Sequence, residues 1–461
     1  MNEFPLPKWV TDAIFYQIFP ERFANGDPSN DPASCVAWES KPEVDSFFGG
    51  DLEGIRQKIP YLKALGVNAL YLTPIFKAGT NHKYDTIDYM QIDPHFGDLA
   101  LFKQLVEEVH EAGMRVILDG VFNHCGDKNL KFLDALEKGP KSRWFEWFVF
   151  QEPFENKAYQ TCGGAAFLPK LNTANPEVQA YIIDVGLYWL KETGIDGWRL
   201  DVPWKTDPAL WPLFYRAVKE VNPEAYIVHE TWRDTNHWLN RSIGDGVMNY
   251  PLRDYIFDYA LKDGMDAEDF DYFCRRMAED YLQAGPYQLN LLGSHDTPRL
   301  LTAAGGDVPR TLLALSLLFM MPGAPMLYYG DENGMSGGND PDCRKGMVWQ
   351  EKDWNMQIRT RVQQLIRIRQ DHKALRAGKY QTLFMHNGVY AFSRQAKEDK
   401  VLVICNPRQA AGPILVNTLF QDESWQDTLS GQNFAAKDGK LFITHLEAQS
   451  ILVLIPVRKL I

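Results

Sequence analysis

Eight short apolar runs alternate with longer amphipathic stretches between Ala13 and Asp331, and this alternation constrains the fold more than any other feature. Each run is apolar on both faces, which is typical of parallel strands covered by helices. One intervening stretch opens with Asn175 and Pro176 and closes on Gly194, which are helix start and stop signals. Eight strand–helix units predict a (β/α)8 barrel. A doubly wound sheet is the alternative, but no G-x-G-x-x-G follows the first run. The predicted strands are 13–19, 69–74, 115–121, 197–202, 226–231, 246–250, 288–296 and 325–331, and the clearest helices are 52–66, 99–113 and 175–194.

Two further regions interrupt or follow this pattern. The connection between the third and fourth runs is much longer than one helix needs, which predicts an inserted subdomain at 124–171. After about residue 378 the sequence pattern changes to short strand-like runs separated by turn residues. This pattern predicts an all-β domain at 378–461. The barrel would then comprise 1–123 and 172–377.

Composition excludes several classes of partner. Lys and Arg number 48 against 60 Asp and Glu, a net charge of −12, which disfavours binding to nucleic acid or to anionic membrane surfaces. The six cysteines are scattered without a C-x-x-C pair, which favours a reduced compartment. The N-terminus has no apolar run of the secretory kind, and the longest apolar stretch, 312–326, is broken by Pro322 and Gly323. We therefore expect a soluble, cytoplasmic protein.

Charged residues collect where predicted strands end. Asp119, Asp201, Glu230 and Asp296 each lie at or near the end of an otherwise apolar run. One such residue is readily explained as a core ion pair, but four at the same face of a barrel indicate a site, since chemistry lies at the carboxyl ends of barrel strands. Arg199 lies two residues before Asp201 and shares its strand face, so its guanidinium is expected to hold that carboxylate ionised.

Paired carboxylates are typical of glycoside hydrolysis. In that reaction one carboxylate attacks the anomeric carbon and a second carboxyl protonates the leaving oxygen. Asp201 would be the nucleophile and Glu230 the acid and base, while Asp296 would hold sugar hydroxyl groups. His124 and His295 can donate hydrogen bonds to the same sugar, although each alone is more often structural.

Several motifs, in this order, resemble the conserved regions of the α-amylase family of glycoside hydrolases. They are D-G-V-F-N-H (119–124), G-W-R-L-D (197–201), H-E-T-W (229–232) and S-H-D (294–296). Others resemble the cyclomaltodextrinase, neopullulanase and maltogenic amylase branch. They are N-H-K-Y-D-T-I-D-Y (81–89), L-P-K-L-N (168–172), V-M-N-Y-P-L-R (247–253) and Y-Y-G-D-E-N-G-M-S-G-G-N-D-P-D-C-R-K (328–345). The resemblance covers nearly the whole chain from about Trp9 onward.

The resemblance implies a (β/α)8 TIM barrel, an inserted domain after strand three and a C-terminal antiparallel β-sandwich. It implies a retaining mechanism in which Asp201 forms the glycosyl-enzyme, Glu230 is acid then base, and Asp296 stabilises the transition state. It also implies a subsite for the reacting glucose with Tyr84 as its stacking platform. The other residues assigned to substrate binding are Asp119, His124, Arg199, His295, Trp204 and Lys205.

The sequence after the proposed nucleophile differs from the pattern that is usual in this branch. The usual V-A-N-E is Val202-Pro203-Trp204-Lys205 here, and the usual His after E-x-W is Arg233. These positions border the subsite of the leaving or acceptor sugar. The changes leave the linkage preference and the extent of transglycosylation open. The alternative is that they are neutral substitutions at the solvent-exposed edge of the site and have no functional effect.

A loop rich in oxygen side chains follows the first strand. By composition it is an Asx-turn loop, whereas calcium binding needs six to eight oxygens. The resemblance favours a structural calcium ion, because related enzymes bind calcium at this loop. The assigned ligand residues are Asn25, Asp27, Asn30, Asp31, Gly49 and Asp51.

The expected function is endo-type hydrolysis of α-1,4 bonds in maltooligosaccharides, cyclodextrins, starch or pullulan. An α-1,6- or exo-acting glucosidase, or a transglycosylase, is the second candidate, and Lys170 in L-P-K-L-N disfavours an oligo-1,6-glucosidase. A non-catalytic sugar-binding barrel is a third, disfavoured because the catalytic trio is complete. Members of the branch usually carry a β-domain before the barrel that builds their dimer. Because the first strand begins near Ala13, we expect a monomer or a differently built oligomer with an open cleft.

Overall fold

A computed structural model describes residues 4–233, 235–421 and 424–457. The chain forms two compact units. The first consists mainly of Phe15–Met248 with Asp340–Met347, and the second mainly of Asn249–Asn339 and Val348–Ile461, with Val10–Ile14. The outer limits of the predicted domains, residues 1 and 461, lie outside the described residues.

Six parallel strands form the sheet of the first unit, in the order β8-β7-β6-β5-β2-β1, and β3 and β4 form an antiparallel ribbon. The six parallel strands are short and, apart from Arg115 at the start of β5, buried, which fits the apolar runs of the sequence. The strands are β1 (Phe15–Ile18), β2 (Ala69–Leu72), β3 (Phe76–Ala78), β4 (Thr86–Ile92), β5 (Arg115–Gly120), β6 (Gly197–Leu200), β7 (Tyr226–His229) and β8 (Gly246–Val247).

Of the three predicted helices of the first unit, α6 (Pro176–Thr193) begins and ends at its predicted signals. The Asn175 side chain accepts from the Glu177 N–H at its start, and Gly194 ends it in the left-handed conformation. The predicted helix 99–113 ends earlier, at Glu111. The predicted helix 52–66 is instead two helices, and Pro60 lacks the N–H that an unbroken helix needs. The helices are α1 (Pro20–Phe23), α2 (Leu52–Gln57), α3 (Ile59–Leu65), α4 (Leu99–Glu111), α5 (Leu130–Lys138), α6 (Pro176–Thr193) and α7 (Leu210–Val221).

The segment 124–171 contains α5 and an aromatic cluster of its own. Phe132 lies edge-on to Phe148 and Tyr159, with ring centroids 5.1 and 4.9 Å apart, and Phe145 stacks on Phe150 at 4.8 Å. Such packing lets a segment with little regular structure keep a defined conformation.

The second unit contains two parallel strands and an antiparallel sheet. The parallel pair is β9 (Leu289–Leu291) and β10 (Ala324–Tyr328). The antiparallel sheet has the strand order β11-β12-β13-β18-β15-β16-β17-β14, and its core includes the fully buried Trp425. Its strands are β11 (Lys379–His386), β12 (Val389–Ala396), β13 (Asp399–Asn406), β14 (Ile414–Asn417), β15 (Ser424–Asp427), β16 (Asn433–Lys437), β17 (Lys440–Ile443) and β18 (Ser450–Pro456). The helices are α8 (Tyr250–Ile256), α9 (Ala267–Tyr281), α10 (Leu300–Ala303), α11 (Val308–Met320), α12 (Met356–Asp371) and α13 (Lys373–Ala377). No helix among the described residues is both long and apolar enough to cross a membrane.

Buried arginines bind backbone carbonyls in the second unit. Arg369 donates to the carbonyls of Leu375 at 3.0 Å and Gly323 at 2.7 Å, and Arg394 donates to that of Met320 at 2.8 Å. Met320 ends α11, so Arg394 places positive charge at the negative end of that helix. These contacts satisfy carbonyls that would otherwise be buried without partners.

Replacing Arg369 is therefore expected to destabilise the protein strongly. Arg369→Met keeps most of the volume but leaves its carbonyl partners unpaired, which should lower the free energy of unfolding by about 3 kcal/mol. Urea denaturation measures this. Arg376→Gln is the control, since Arg376 pairs with the exposed Asp12 at 2.8 Å and its loss should cost about 0.5 kcal/mol. Equal losses in both variants would contradict this role for Arg369.

Candidate active site

Three adjacent parallel strands of the first unit position the acidic residues. Asp119 on β5 is in register with Arg199 on β6. One step further along, the Asp201 N–H donates to the Gly120 carbonyl at 3.1 Å, and the Glu230 N–H donates to the Leu200 carbonyl at 3.0 Å. The backbone ladder thus continues just past the strand ends, and it fixes the carboxylates where the strands stop.

A single guanidinium holds these carboxylates together. Arg199 Nη1 donates to Asp119 Oδ1 and to Asp201 Oδ1, each at 2.8 Å, and Arg199 Nη2 lies 3.1 Å from Glu230 Oε2. Arg199 is fully buried, and its Nε donates to the Met248 sulfur at 3.5 Å. The structure therefore brings together four of the residues that the sequence singled out.

Burial controls the protonation of this cluster. Desolvation raises the pKa of Asp201 well above its usual value; Arg199 lowers it, and the charges of Glu230 and Asp119 raise it further. Desolvation likewise raises the pKa of Asp119, against the opposing charge of Arg199. Arg199 lowers the pKa of Asp201, which is the predicted direction, but burial and the two neighbouring carboxylates outweigh it, so the net shift of this pKa is upward.

Both oxygens of Glu230 accept hydrogen bonds. The Val202 N–H donates to Oε2 at 2.8 Å, and Trp232 Nε1 donates to Oε1 at 2.9 Å. Neither donor was assigned a role from the sequence. Trp232 lies within H-E-T-W and shares a strand-like i, i+2 spacing with Glu230, which is a signal that could have found it.

Asp119 also has two tyrosine donors. Tyr71 donates to Asp119 Oδ2 at 2.6 Å and Tyr84 donates to the same atom at 2.9 Å. Tyr84 was predicted as a sugar platform, and the structure places its hydroxyl at the acidic cluster. Tyr71 was missed, because it lies inside the apolar run of β2 and reads there as a core residue.

The remaining predicted residues of the first unit lie in the segments that follow β5 and β6. His124 is buried, and desolvation lowers its pKa to about 4, so the imidazole is neutral near pH 7. Trp204 is 44% exposed on a short 3-10 turn, and Lys205 Nζ donates to Cys162 Sγ at 3.6 Å. Lys205 is also close enough to His124 for its charge to contribute to that lowered pKa.

His295 and Asp296 belong to the second unit, in the loop after β9. His295 Nε2 lies 3.2 Å from Asp296 Oδ2, and the Asp296 N–H donates to Ser294 Oγ at 3.2 Å. His295 is buried, whereas the Asp296 side chain is 30% exposed. The Asp296 carboxylate is thus partly open to solvent, and contacts with Ser294 and His295 hold the residue.

The predicted calcium loop has features that suit an oxygen-liganded cation. The side-chain carbonyl oxygens of Asn25 and Asn30 are buried without a hydrogen-bond partner. The Asp31 carboxylate lies beside Asn25, whose Nδ2 donates to it at 2.8 Å, and a Cβ at Gly49 would meet Asp31 Oδ1 at 2.3 Å. Gly49 has a φ of +80°, so glycine suits both the conformation and the space.

Asp51 and Asp27 accept hydrogen bonds in this loop. Asp51 accepts from the N–H groups of Gly26, Asp27 and Gly54 and from Asn30 Nδ2, at 2.6–3.0 Å. Asp27 Oδ1 accepts from Ser29. Asp51 therefore caps α2 and fixes the loop that carries the two unpartnered amide oxygens.

Comparison with known proteins supports the same conclusion as the geometry. The family model described as alpha amylase, catalytic domain, matches residues 17–381. A cyclomaltodextrinase from Thermoanaerobacter pseudethanolicus is 43% identical over 95% of this chain and 77% of its own length. An intracellular maltogenic amylase from Bacillus subtilis is 43% identical over 87% of this chain and 69% of its own. The ligand-free structure of the cyclic α-maltosyl-(1→6)-maltose hydrolase from Arthrobacter globiformis is 40% identical, with a TM-score of 0.89, and the match covers 98% of this chain and 99% of that one.

These likenesses confirm the predicted fold class, a TIM barrel with a C-terminal antiparallel β-domain. They also confirm the resemblance found in the motifs and the assignment of the chain as an enzyme. The chain belongs to the α-amylase family, and it is a retaining glycoside hydrolase.

Proposed function

We propose that this protein hydrolyses α-1,4-glucosidic bonds of maltooligosaccharides, cyclodextrins, starch or pullulan by an endo-type, double-displacement reaction. The observation that carries the proposal is the buried Arg199 guanidinium in contact with both Asp201 and Glu230. Two carboxylates that share one guanidinium are close together, as a nucleophile and an acid on one glycosidic bond must be. The cyclomaltodextrinase and maltogenic amylase relatives support this substrate class.

Each carboxylate takes a separate role in this reaction. Asp201 attacks the anomeric carbon and forms the glycosyl-enzyme ester, while the Glu230 carboxyl gives its proton to the leaving oxygen. Glu230 then takes a proton from the water that hydrolyses the ester. Asp296 and His295 are assigned to the hydroxyl groups of the reacting glucose by their motif, and Tyr84 is assigned as its stacking platform.

We assign Trp204 and Lys205 to the side of the site that receives the leaving or acceptor sugar. The Trp204 indole is partly exposed on the turn that follows the nucleophile, so its ring can stack on a glucose face. Lys205 adds a hydrogen-bond donor on the same turn.

A second candidate is hydrolysis at α-1,6 bonds. It is favoured by the likeness to the Arthrobacter globiformis enzyme, which is named as a hydrolase of a cyclic maltosyl-maltose with a (1→6) linkage. Digestion of cyclodextrin, starch, maltotriose, pullulan and that cyclic tetrasaccharide, followed over time by chromatography, separates the two. Faster turnover of linear and cyclic α-1,4 substrates supports the first candidate. Preference for the cyclic tetrasaccharide with maltose as its end product supports the second, because maltose forms only when the 1→6 bonds are cleaved and the α-1,4 bonds stay intact.

We also propose a structural calcium ion at Asn25, Asp27, Asn30, Asp31, Gly49 and Asp51. The unpartnered buried oxygens of Asn25 and Asn30 support it, since a cation would satisfy both. The ion would stabilise the loop and take no part in the ester chemistry. A cytoplasmic location is proposed from the six scattered cysteines, which include no C-x-x-C pair, and from the Bacillus subtilis relative, which is named intracellular.

Replacing the proposed nucleophile should abolish turnover and leave the fold intact. Asp201→Asn keeps the volume but cannot form the ester, so kcat should fall at least about a thousandfold while the melting temperature is preserved. Asp184→Asn, on the exposed face of α6, is the matched control and should retain full activity. NMR of the wild-type reaction should show the α-anomer first; an initial β-product would exclude double displacement.

The pH dependence should reflect the raised pKa of Asp201. The nucleophile acts only when ionised, so kcat/KM should fall as the pH drops through a pKa that lies above 3.8. Asp119→Asn removes a negative charge that raises the pKa of Asp201, so the acidic limb should move to lower pH. A pH–rate profile of both proteins measures this, and a shift of that limb to higher pH would contradict the electrostatic assignment.

Removing calcium should lower thermal stability. An ion that binds only the folded chain adds about 2.7 kcal/mol at a hundredfold excess over Kd, so a chelator should lower the melting temperature by several degrees and added calcium should restore it. Asn25→Leu should melt at the same temperature with and without chelator. If metal analysis finds no calcium and the chelator leaves the wild-type melt unchanged, the loop is an Asx turn.

A further inference from the structure

Val202, the residue after the proposed nucleophile, has a left-handed backbone with φ of 34° and ψ of 52°. Of the described non-glycine residues with positive φ, it alone has a β-branched side chain. Branching at Cβ makes this conformation costly, and such strain persists where the surrounding structure holds it. A residue without a branched Cβ would adopt the same conformation at a lower free-energy cost.

The backbone N–H of Val202 lies at the acidic cluster. The ladder between β5 and β6 ends with the Asp201 N–H on the Gly120 carbonyl. The next N–H along the chain, that of Val202, donates to Glu230 Oε2 at 2.8 Å. Its carbonyl accepts from the Lys205 N–H at 2.9 Å, so the following turn holds the peptide in place.

The two oxygens of Glu230 consequently differ. Oε2 accepts a hydrogen bond from the Val202 N–H at 2.8 Å and lies 3.1 Å from the positively charged Arg199 Nη2. A proton on Oε2 would displace that hydrogen bond and weaken the ion pair. Oε1 accepts from Trp232 Nε1 at 2.9 Å and has a second position for a proton.

We infer that Val202 is a positioning residue for the acid step, and that its backbone N–H keeps Oε2 unprotonated so that Glu230 delivers its proton from Oε1. The inference rests on the proposed role of Glu230 and adds the atom that carries the proton and the group that selects it. The positive φ of Val202 directs the chain that follows this N–H into the turn Pro203–Lys205.

The test removes the N–H and keeps the side chain. Incorporating the α-hydroxy acid analogue of valine at position 202 replaces the amide by an ester, which cannot donate. Two substrates are compared by kcat/KM: maltotriose, whose leaving sugar needs a proton, and α-maltosyl fluoride, whose fluoride leaves without one. We expect kcat/KM for maltotriose to fall about tenfold and that for the fluoride to change less than about twofold.

The matched control is the same ester at Ile227, whose N–H donates to the buried Asp245 carboxylate at 2.9 Å. The ester at Ile227 removes a hydrogen bond of the same kind that takes no part in the acid step. The ratio of kcat/KM for maltotriose to kcat/KM for α-maltosyl fluoride should therefore stay as in the wild type. Equal losses on both substrates with the ester at 202, or no loss on either, would overturn the inference. Glu230→Gln is measured in parallel: if it affects both substrates equally, the proposed role of Glu230 itself fails, whereas a selective loss there with no effect at 202 refutes only the role of Val202.

A second variant separates the N–H from the side chain. Val202→Gly keeps the N–H and adopts positive φ without the Cβ penalty, so the ratio of the two substrates should stay within about twofold of wild type. A selective loss on maltotriose in this variant would assign the effect to the valine side chain and overturn the inference.

Discussion

The buried guanidinium of Arg199 is the interaction on which the candidate active site of this enzyme depends. It contacts Asp119 and Asp201 through one nitrogen and approaches Glu230 with another. A buried charge with poor partners would be expelled or neutralised, so the strands that carry these residues must hold close register. Loss of the guanidinium would leave three carboxylates buried together with no cation, which is far costlier than loss of any one of them.

The sequence predicted this part of the site well, for a physical reason. A carboxylate that ends an apolar strand is conspicuous, and parallel strands in register bring such ends together without detailed knowledge of side chains. Asp119, Asp201 and Glu230 follow this rule, and the spacing of Arg199 and Asp201 places both on one face. The overall architecture followed from similar logic, because eight buried runs with helices between them have few alternative arrangements.

Other features could not be predicted, because they depend on packing rather than on pattern. Tyr71 lies within an apolar run of the sequence, and only the fold places its hydroxyl group at Asp119. The backbone of Val202 carries no sequence signal at all, since a valine ordinarily avoids its conformation. The net pKa shift of Asp201 is a further case: the charge of Arg199 is visible in the sequence, but the desolvation that outweighs its effect on this pKa exists only after folding.

The excess of carboxyl groups over cations in the site is unfavourable for the stability of the free enzyme but favourable for the reaction. One guanidinium faces three carboxyl groups, so full ionisation leaves the cluster net negative, and burial then raises the pKa of Asp201 and Asp119. A glycosyl transition state develops positive charge at the anomeric carbon. Negative charge fixed in a buried site stabilises such a state more than a neutral substrate, because little reorganisation is needed when the charge appears. The free enzyme therefore bears an electrostatic cost that is relieved when the transition state forms, and Arg199 keeps that cost small enough for the fold to tolerate.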